Sequence, residues 1–228
     1  MAHLNDAGIL SQFLDENCAK SEFKDCRLCQ YKDSLPKDLA SFIWAGKILE
    51  NTGGWEGSKD EYERIIKETL KRPKYIAENI YVSFYYGLIQ LTRNEIGQGL
   101  TSYEKGSPPY DQISWRFHRE LNSYLMSRQN IWNGAGLNLK YLNLTQLFLL
   151  IGSFFFLIYI FSTPVIRKLE KNSATFLIFI ILSITINSFI TAGLNSPCER
   201  FQARVIWMLP FALIILIYKN FGLFMKRS

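Results

Sequence analysis

The sequence is poor in the residues that build metal and redox sites: it has 4 cysteines and 2 histidines in 228 residues. Cys26 and Cys29 form a CxxC pair, but His3 and His118 are not spaced to complete a four-ligand zinc site with it. No strand pattern stands beside the CxxC pair, as a redox motif of this type would require. We therefore expect neither a metal ion nor another cofactor.

Targeting signals are also missing. The first residues, MAHLNDAGILSQFLDENC, have no basic stretch followed by an apolar run, so they do not resemble a secretory signal peptide. Neither end of the sequence carries a lipidation motif. We expect the transmembrane segments described below to carry the targeting information.

Acidic residues become scarce after residue 143. Residues 1–143 contain 18 basic and 18 acidic residues, whereas residues 144–228 contain 8 basic and only 2 acidic ones. The net charge of +6 therefore belongs to the last part of the chain. Because these cations flank apolar segments, they are suited to lipid phosphates and membrane topology, and we do not expect nucleic acid as a partner.

Three long apolar stretches occupy this last part, at residues 144–166, 174–194 and 205–225. The first two have no charge, and the third is interrupted by Lys219 close to its end. About 20 helical residues cross the roughly 30 Å of membrane hydrocarbon, so each stretch is long enough. The sequence predicts three transmembrane helices, with a kink at Pro210 in the third.

Residues 1–143 predict a compact helical domain outside the membrane, which makes the fold class all-α. Capping residues and apolar spacing predict helices from Asn5 or Asp6 to about Cys18, from a capping box at Ser58 to Lys71, from Pro73 to Thr92, and from Gln112 to about Asn130. The helix after Pro73 places Ile76, Ile80, Phe84 and Leu88 on one face.

Basic residues near the ends of the spans predict the orientation in the membrane. Six lie on the side of the first connection and the C-terminus: Arg167, Lys168, Lys171, Lys219, Lys226 and Arg227. Four lie opposite: Arg128, Lys140, Arg200 and Arg204. This bias predicts a cytoplasmic C-terminus and a periplasmic N-terminal domain in a multi-pass protein of the bacterial inner membrane. A domain of this size does not readily cross a membrane ahead of its first span, so we expect the chain to be the C-terminal part of a longer polytopic protein. A cytoplasmic domain is the alternative.

A disulfide is the simplest role for the cysteines if the domain lies in an oxidising compartment. Cys18 and Cys26 are the pair that we expect, because they would close a short loop. Cys29 and Cys198 could pair only if the domain covers the loop before the third span.

Residues Asn143 to Thr145 match an N-glycosylation sequon. This site adjoins the membrane and is a poor glycosylation acceptor.

The loop before the third span, NSPCERFQAR, is the best candidate for a binding site. Arg200 and Arg204 lie four residues apart on one helical face, with Trp207 one turn further. Two guanidinium groups near a helix start suit the phosphate of a lipid, and Gln202 adds a polar group. Arginine and tryptophan that simply anchor a span at the interface are the alternative interpretation.

A polar stripe runs along the second span, formed by Ser183, Asn187 and Thr191, with Ser188 beside it. Polar groups within a membrane need partners, and hydrogen bonds to another helix are the simplest ones. The stripe therefore predicts contact with further transmembrane helices or with a partner membrane protein.

Three segments together resemble the C-terminal portion of a little-characterised family of bacterial polytopic inner-membrane proteins: QFLDENC at 12–18, GGW at 53–55 and SPCERFQARVIW at 196–207. Cys198 stands where that family has a different polar residue. The layout of spans with a helical extracytoplasmic domain is similar to that of lipid-dependent glycosyltransferases of the GT-C class. Those enzymes carry a catalytic carboxylate in an early external loop, which is not recognisable in this sequence.

Two functions are consistent with these patterns. The first is that of a glycosyltransferase-like membrane protein that handles a lipid-linked substrate, such as a polyprenyl-phosphate-linked one, with Arg200 and Arg204 on the phosphate. The second is that of a non-catalytic membrane anchor that presents a helical interaction domain. No nucleophile or carboxylate pair is placed by spacing to complete a catalytic site around His118.

Overall fold

The computed structural model describes residues 1–39, 41–45, 48–100, 102–131, 137–163 and 169–220. Throughout these ranges the regular structure is helical and no strand forms, which confirms the predicted all-α fold. Contacts divide the chain into two units, one of Met1–Gln90 with Asn187–Pro197 and one of Leu91–Ile186 with Cys198–Ser228. The second apolar helix contributes residues to both units, and the domain boundary expected at residue 143 stays a prediction.

The first unit is built from short helices followed by two long ones. They are α1 (Ala2–Asp6), α2 (Ile9–Asn17), α3 (Ile48–Asn51), α4 (Gly54–Lys71) and α5 (Pro73–Thr92), with 3₁₀ turns at Ser21–Phe23 and Arg27–Ser34 and a π turn at Ser41–Ala45. The apolar side of α2 is completely buried. Its residues Ile9, Leu10, Phe13 and Leu14 pack in one core cluster with Leu28, Ile65 and Tyr75 of the later elements.

The disulfide joins Cys18 to Cys29, with 5.6 Å between the Cα atoms and a sequence separation of 11. The predicted pairing of Cys18 with Cys26 is wrong. The Cys26 thiol points into the core and donates a hydrogen bond to Oε1 of Glu61 at 3.2 Å, while the 3₁₀ turn that follows brings Cys29 to Cys18. The same Glu61 carboxylate accepts the N–H groups of Arg27 and Leu28, so it fixes the start of this turn.

Helix α4 begins earlier than the capping box predicted. Gly53 takes a backbone conformation with φ of 103°, which a residue with a Cβ atom rarely adopts, and the helix starts at Gly54. Ser58 consequently lies inside the helix, where its buried hydroxyl is 2.7 Å from the Thr52 hydroxyl. The chain turn before α4 therefore depends on Gly53 and on this hydroxyl pair.

Helix α5 has the predicted bounds, but the predicted apolar face is not in the core. Ile80, Phe84 and Leu88 are 64%, 56% and 46% exposed. Ser83 and Gly87 face the last turns of the second apolar helix, residues 187–194, and the Phe84 ring lies 5.5 Å from the ring of Phe189 in these turns.

The second unit begins with short helices and continues with the apolar ones. They are α6 (Pro108–Arg116), α7 (Leu121–Leu125), α8 (Arg128–Ile131), α9 (Lys140–Ser162), α10 (Lys171–Leu194), α11 (Glu199–Ala203) and α12 (Met208–Lys219). The single helix predicted from Gln112 to Asn130 is wrong, because the backbone leaves the helical region at Phe117 and again at Met126. Bulky aromatic residues and serine are weak helix formers, and they stand at both breaks.

Among the residues that the structure describes, three helices are long and apolar enough to cross a membrane, at Lys140–Ser162, Lys171–Leu194 and Glu199–Lys219. This is compatible with an integral membrane protein. The ends of the first and third predicted spans, at 164–166 and 221–225, lie outside the described residues. The third span is interrupted between Ala203 and Met208, just before Pro210, whose ring cannot continue the hydrogen-bond ladder.

The apolar helices contact one another along narrow seams. One cluster contains Ile160, Leu177, Leu213 and Leu216, and a second contains Ile180, Ile184, Ile206 and Ala212. Large apolar side chains outside the seams remain exposed, among them Phe148, Phe155, Phe179 and Ile214. In a membrane these side chains would face lipid, as the apolar surface of a span normally does.

Candidate functional site at the start of the third span

The third span begins with a short helix and a turn. Cys198 is extended, with φ of −145° and ψ of 126°, and α11 follows from Glu199. Arg204 follows the last residue of α11 and keeps a right-handed helical backbone conformation, with φ of −71° and ψ of −25°, and the N–H group of Ile206 donates to the carbonyl of Gln202 at 2.9 Å. Arg200 and Arg204 are therefore one helical turn apart, as the spacing predicted.

Glu199 fixes this start through two contacts with the segment that follows α5. One carboxylate oxygen is 2.9 Å from the guanidinium of Arg93, and the other accepts the N–H group of Glu95 at 2.9 Å. The Glu199 side chain is only 16% exposed, so this ion pair is shielded on one side from water. Glu199 consequently has a structural partner, and its charge is not left over for a ligand.

Gln98 makes the next contact. Its side-chain oxygen accepts the Cys198 thiol at 2.9 Å and the N–H group of Arg200 at 3.1 Å. One amide oxygen thus holds the two residues that flank Glu199. The backbone of the third span is tied at its first turn, which fixes the direction in which Arg200 leaves the helix.

The first span contributes two amide side chains to the same segment. Asn143 accepts the N–H group of Ile96 at 2.8 Å and donates to the carbonyl of Ile96 at 3.1 Å. Gln146, one turn further, donates to the carbonyl of Asn94. Side chains of α9 and α11 therefore satisfy the backbone of residues 94–96, which belongs to no helix or strand.

We call residues 93–98 the return segment. It was not recognised from the sequence as part of a site, and neither were its partners Asn143 and Gln146. The available signal was the pair of amide residues in the first two turns of an otherwise apolar helix. The sequence instead indicates a glycosylation sequon at Asn143 to Thr145, although the Asn143 side chain bonds to the backbone of Ile96.

The two predicted arginines are exposed. The guanidinium of Arg200 lies 5.2 Å from the centre of the Phe201 ring, and Arg204 uses its carbonyl to accept the indole N–H of Trp207 at 2.8 Å. Trp207 is 53% exposed, and its ring centre lies 5.9 Å from that of Phe211, with the two ring planes inclined at 60°. Neither guanidinium has an ion-pair partner among the residues that the structure describes, which leaves both charges open to an anion.

Gln202 does not share this surface. Its side chain is completely buried, whereas Arg200, Arg204 and Trp207 are exposed. On a helix, residue 202 lies well away from the line that joins residues 200 and 204. The surface available to a phosphate group is thus formed by the two guanidiniums and the indole ring.

The other predicted candidates lie elsewhere. Cys18 and Cys26 belong to the core of the first unit, far along the chain from the arginines. Burial and the neighbouring Glu61 carboxylate raise the pKa of the Cys26 thiol to about 12, so Cys26 is not a reactive thiolate at neutral pH. His118 lies in an exposed 3₁₀ turn of the second unit.

Comparison with known proteins adds no relative to this picture. No protein-family model matches the chain, and neither a curated protein nor a solved structure is similar to it. The function must therefore be argued from the geometry.

Proposed function

We propose that the protein is an integral inner-membrane protein that binds the phosphate group of a membrane lipid through Arg200 and Arg204. The observation that carries this proposal is the pair of exposed guanidiniums at the start of the third span, one helical turn apart and without a carboxylate partner among the described residues. Guanidinium groups form paired hydrogen bonds with phosphate oxygens. Trp207 is placed one turn deeper, where an indole ring fits the boundary between headgroups and hydrocarbon.

The return segment supports the proposal because it explains the nearby polar residues. Glu199 and Gln98 hold the backbone around Arg200, so the first turn of the third span is rigid and the arginines are free for a ligand. A site that only anchors a helix does not require such a brace. A fixed pair of donors also loses less conformational entropy on binding than two mobile side chains would.

The lipid that fits the resemblance to GT-C glycosyltransferases is a polyprenyl-phosphate-linked one. The proposal in this narrower form is that the chain supplies the lipid-phosphate end of a larger glycosyltransferase-like protein. Arg200 and Arg204 would bind a phosphate group in both the general and the narrower form of the proposal. The two forms differ in the lipid chain and in the glycan attached to it.

The orientation that we propose places Arg200 and Arg204 at the outer leaflet and the N-terminal residues in the periplasm. The disulfide between Cys18 and Cys29 supports an oxidising compartment, and the excess of basic residues at the other ends of the spans supports a cytoplasmic C-terminus. After reduction in intact cells, an impermeant thiol reagent should label Cys18 and Cys29. Absence of labelling in intact cells, with labelling after lysis, would show a cytoplasmic domain.

The decisive experiment is the double substitution Arg200→Gln and Arg204→Gln. Purified protein in neutral-lipid nanodiscs is titrated with a fluorescent polyprenyl phosphate and with the corresponding polyprenol. The wild type should prefer the phosphate, and the double variant should lose this preference. A matched control is Arg116→Gln with Arg119→Gln, which removes two exposed arginines of the second unit; Arg116 also lies 4.9 Å from an aromatic ring, that of Trp115.

A preference that survives in the double variant contradicts the proposal. The remaining function would then be that of a membrane anchor with an interaction domain. Trp115 and Phe117, 72% and 61% exposed, are the aromatic residues on which such a domain would present a partner surface.

A further inference from the structure

A cavity of about 240 Å³ lies where α10 begins and α12 ends. Among the described residues, six line it: Asn172, Ser173, Phe176, Ile215, Leu216 and Lys219. All six belong to the second unit. Beside the cavity, Leu177 of α10 packs in one core cluster with Leu213 and Leu216 of α12, which holds the two helices together. The cavity is therefore formed between two elements of the same unit.

The hydroxyl of Ser173 is a buried polar group of this cavity. Ser173 is only 6% exposed, and its hydroxyl has no hydrogen-bond partner among the residues that the structure describes. Hydroxyl groups further inside the apolar helices do have one, since Ser153 donates to the carbonyl of Leu149 at 2.7 Å and Thr185 to that of Ile181 at 2.9 Å. A buried hydroxyl without a partner is costly, so an atom within the cavity is expected to satisfy it.

The first turn of α10 adds backbone donors. The N–H group of Ala174 donates to the carbonyl of Glu170 at 3.0 Å, whereas the N–H groups of Asn172 and Ser173 have no acceptor within the helix. Helix α10 has 24 residues, and the aligned peptide dipoles of a helix place partial positive charge at its start. The Ser173 hydroxyl thus lies where a negatively charged ligand atom is stabilised.

Lys219 supplies a full positive charge. It is the last residue of α12, it is exposed, and its ammonium group forms no ion pair within the described part of the chain. Glu170, one of only two acidic residues after residue 143, is exposed and does not line the cavity. Because the lining contains a cation and no carboxylate, its electrostatic preference is for an anion.

The rest of the wall is apolar and comes from Phe176, Ile215 and Leu216. The volume is below the roughly 300 to 1,000 Å³ of pockets that enclose drug-sized molecules, so the cavity fits one charged group with a short stretch of chain. In a membrane, the start of α10 and the end of α12 would lie at the level of the lipid headgroups. Phosphate is the anionic group that lipids place at this level.

We propose that this cavity binds a phosphate group. The Ser173 hydroxyl, the Lys219 ammonium group and the first N–H groups of α10 donate to the phosphate oxygens, and the apolar wall lies against the chain of a phospholipid. Lysine binds phosphate as a point charge, and hydrogen bonds to a charged acceptor are stronger than those between neutral groups. The buried hydroxyl of Ser173 then has a partner whenever the ligand is bound.

The test is native mass spectrometry of protein in detergent, mixed separately with phosphatidylglycerol, diacylglycerol, oleate or inorganic phosphate. The wild type should retain phosphatidylglycerol but not diacylglycerol, which has the same acyl chains without phosphate, nor oleate, whose anion is a carboxylate. Ser173→Ala should raise the dissociation constant for phosphatidylglycerol about tenfold, because a hydrogen bond to a charged group is lost. Ser173→Ala combined with Lys219→Gln should weaken binding further.

Lys171→Gln is the matched control, because Lys171 is an exposed cation of the same helical turn that does not line the cavity. It should change the dissociation constant by less than about twofold, as expected for an exposed charge. Thermal unfolding in lipid-free detergent checks that the variants fold. Ser173→Ala should not lower the unfolding midpoint there, because it removes a hydroxyl that has no partner. A lowered midpoint would show that Ser173 has a structural role and would contradict the site.

Equal retention of phosphatidylglycerol by the wild type and by the Ser173 and Lys219 double variant would also contradict the proposal, and so would retention of oleate or diacylglycerol as strong as that of phosphatidylglycerol. Water would then be the partner of the Ser173 hydroxyl. Inorganic phosphate that the wild type retains and the double variant loses would support the phosphate site. If phosphatidylglycerol is not retained in that case, free phosphate is the ligand.

Arg200 and Arg204 are unchanged in these variants, so a failure at the cavity leaves the proposed function untouched. The difference between the wild type and the Ser173 and Lys219 variants should persist in a protein that also carries Arg200→Gln and Arg204→Gln. A difference that disappears in this background would assign the retained lipid to the two arginines and would overturn the cavity site.

Discussion

The carboxylate of Glu199 and the guanidinium of Arg93, separated by 106 positions in the sequence, lie 2.9 Å apart at the start of the third span. This pair closes the return segment onto the membrane helices. The Glu199 side chain is largely buried, while Arg93 is 49% exposed. The contribution of this ion pair to stability therefore lies between that of a surface ion pair and that of a fully buried one.

Glu199→Gln should lower the stability of the protein by about 1 to 2 kcal/mol, because the ion pair and a charge-assisted hydrogen bond to the Glu95 N–H are weakened together. Thermal unfolding in detergent measures the effect. The control is Glu63→Gln, which removes the exposed pair with Lys67 and should change stability by less than about 0.5 kcal/mol. Equal effects of the two substitutions would show that Glu199 does not hold the return segment.

Asn143→Ala should destabilise the protein by about 1 to 3 kcal/mol, since both the N–H and the carbonyl of Ile96 lose their partner. Thr145→Ala is the matched control, because it abolishes the glycosylation sequon but leaves Asn143 in place. Thr145 is exposed, and its hydroxyl donates to the carbonyl of Tyr141 within its own helix. The unfolding midpoints of the two variants in the same detergent distinguish a structural role of Asn143 from a sequon.

The Cys18 and Cys29 disulfide should be found by peptide mapping under non-reducing conditions, with Cys26 as a free thiol. Cys29→Ser should lower the free energy of unfolding by roughly 3 kcal/mol, the value expected for a closed loop of this size. A peptide in which Cys18 is linked to Cys26 would contradict the structure. Cys26→Ser keeps a donor for Glu61, so it should cost less than Cys29→Ser.

Stability should fall at alkaline pH. The pKa of Cys26 in the folded protein, about 12, is higher than in the unfolded chain, because burial and the Glu61 carboxylate disfavour the thiolate. The unfolded chain therefore releases this proton first, and stability is lost as the pH rises from about 9 towards 12. The pKa of Tyr75, raised to about 12 by burial and by its hydrogen bond to Glu16, acts in the same direction.

Unfolding midpoints at pH 8 and pH 10 measure this dependence. Cys26→Ser should reduce the decrease between the two values but not abolish it, since Tyr75 remains. An undiminished decrease in Cys26→Ser would show that the thiol does not stay protonated in the fold.

Local sequence signals predicted the helices well where a single residue fixes the backbone. Pro73 fits the first turn of a helix, and α5 begins there and ends at Thr92 as expected. The apolar runs likewise predicted the three long helices, because length and hydropathy alone define such segments. The single helix predicted from Gln112 to Asn130 does not form, because helical propensity is a weak guide in a stretch with several aromatic residues.

Contacts between distant residues could not be predicted in the same way. Ser188 was expected to bond to another helix, and its partner Gly87 comes from the N-terminal part of this chain, so this residue does not require an absent helix. The apolar face of α5 was predicted correctly, but periodicity does not say whether such a face meets protein or lipid. The disulfide partner was missed because the direction of the Cys26 thiol depends on Glu61, which lies 35 positions away.

The contact between Gly87 and Ser188 also constrains the order of biosynthesis. The two residues are 101 positions apart, so at about 5 to 20 residues per second the ribosome adds Ser188 roughly 5 to 20 seconds after Gly87. During that interval the aromatic residues of α5 have been made but the final turns of α10 have not. Nascent chains arrested before residue 187 should therefore lack this contact, and longer ones should form it.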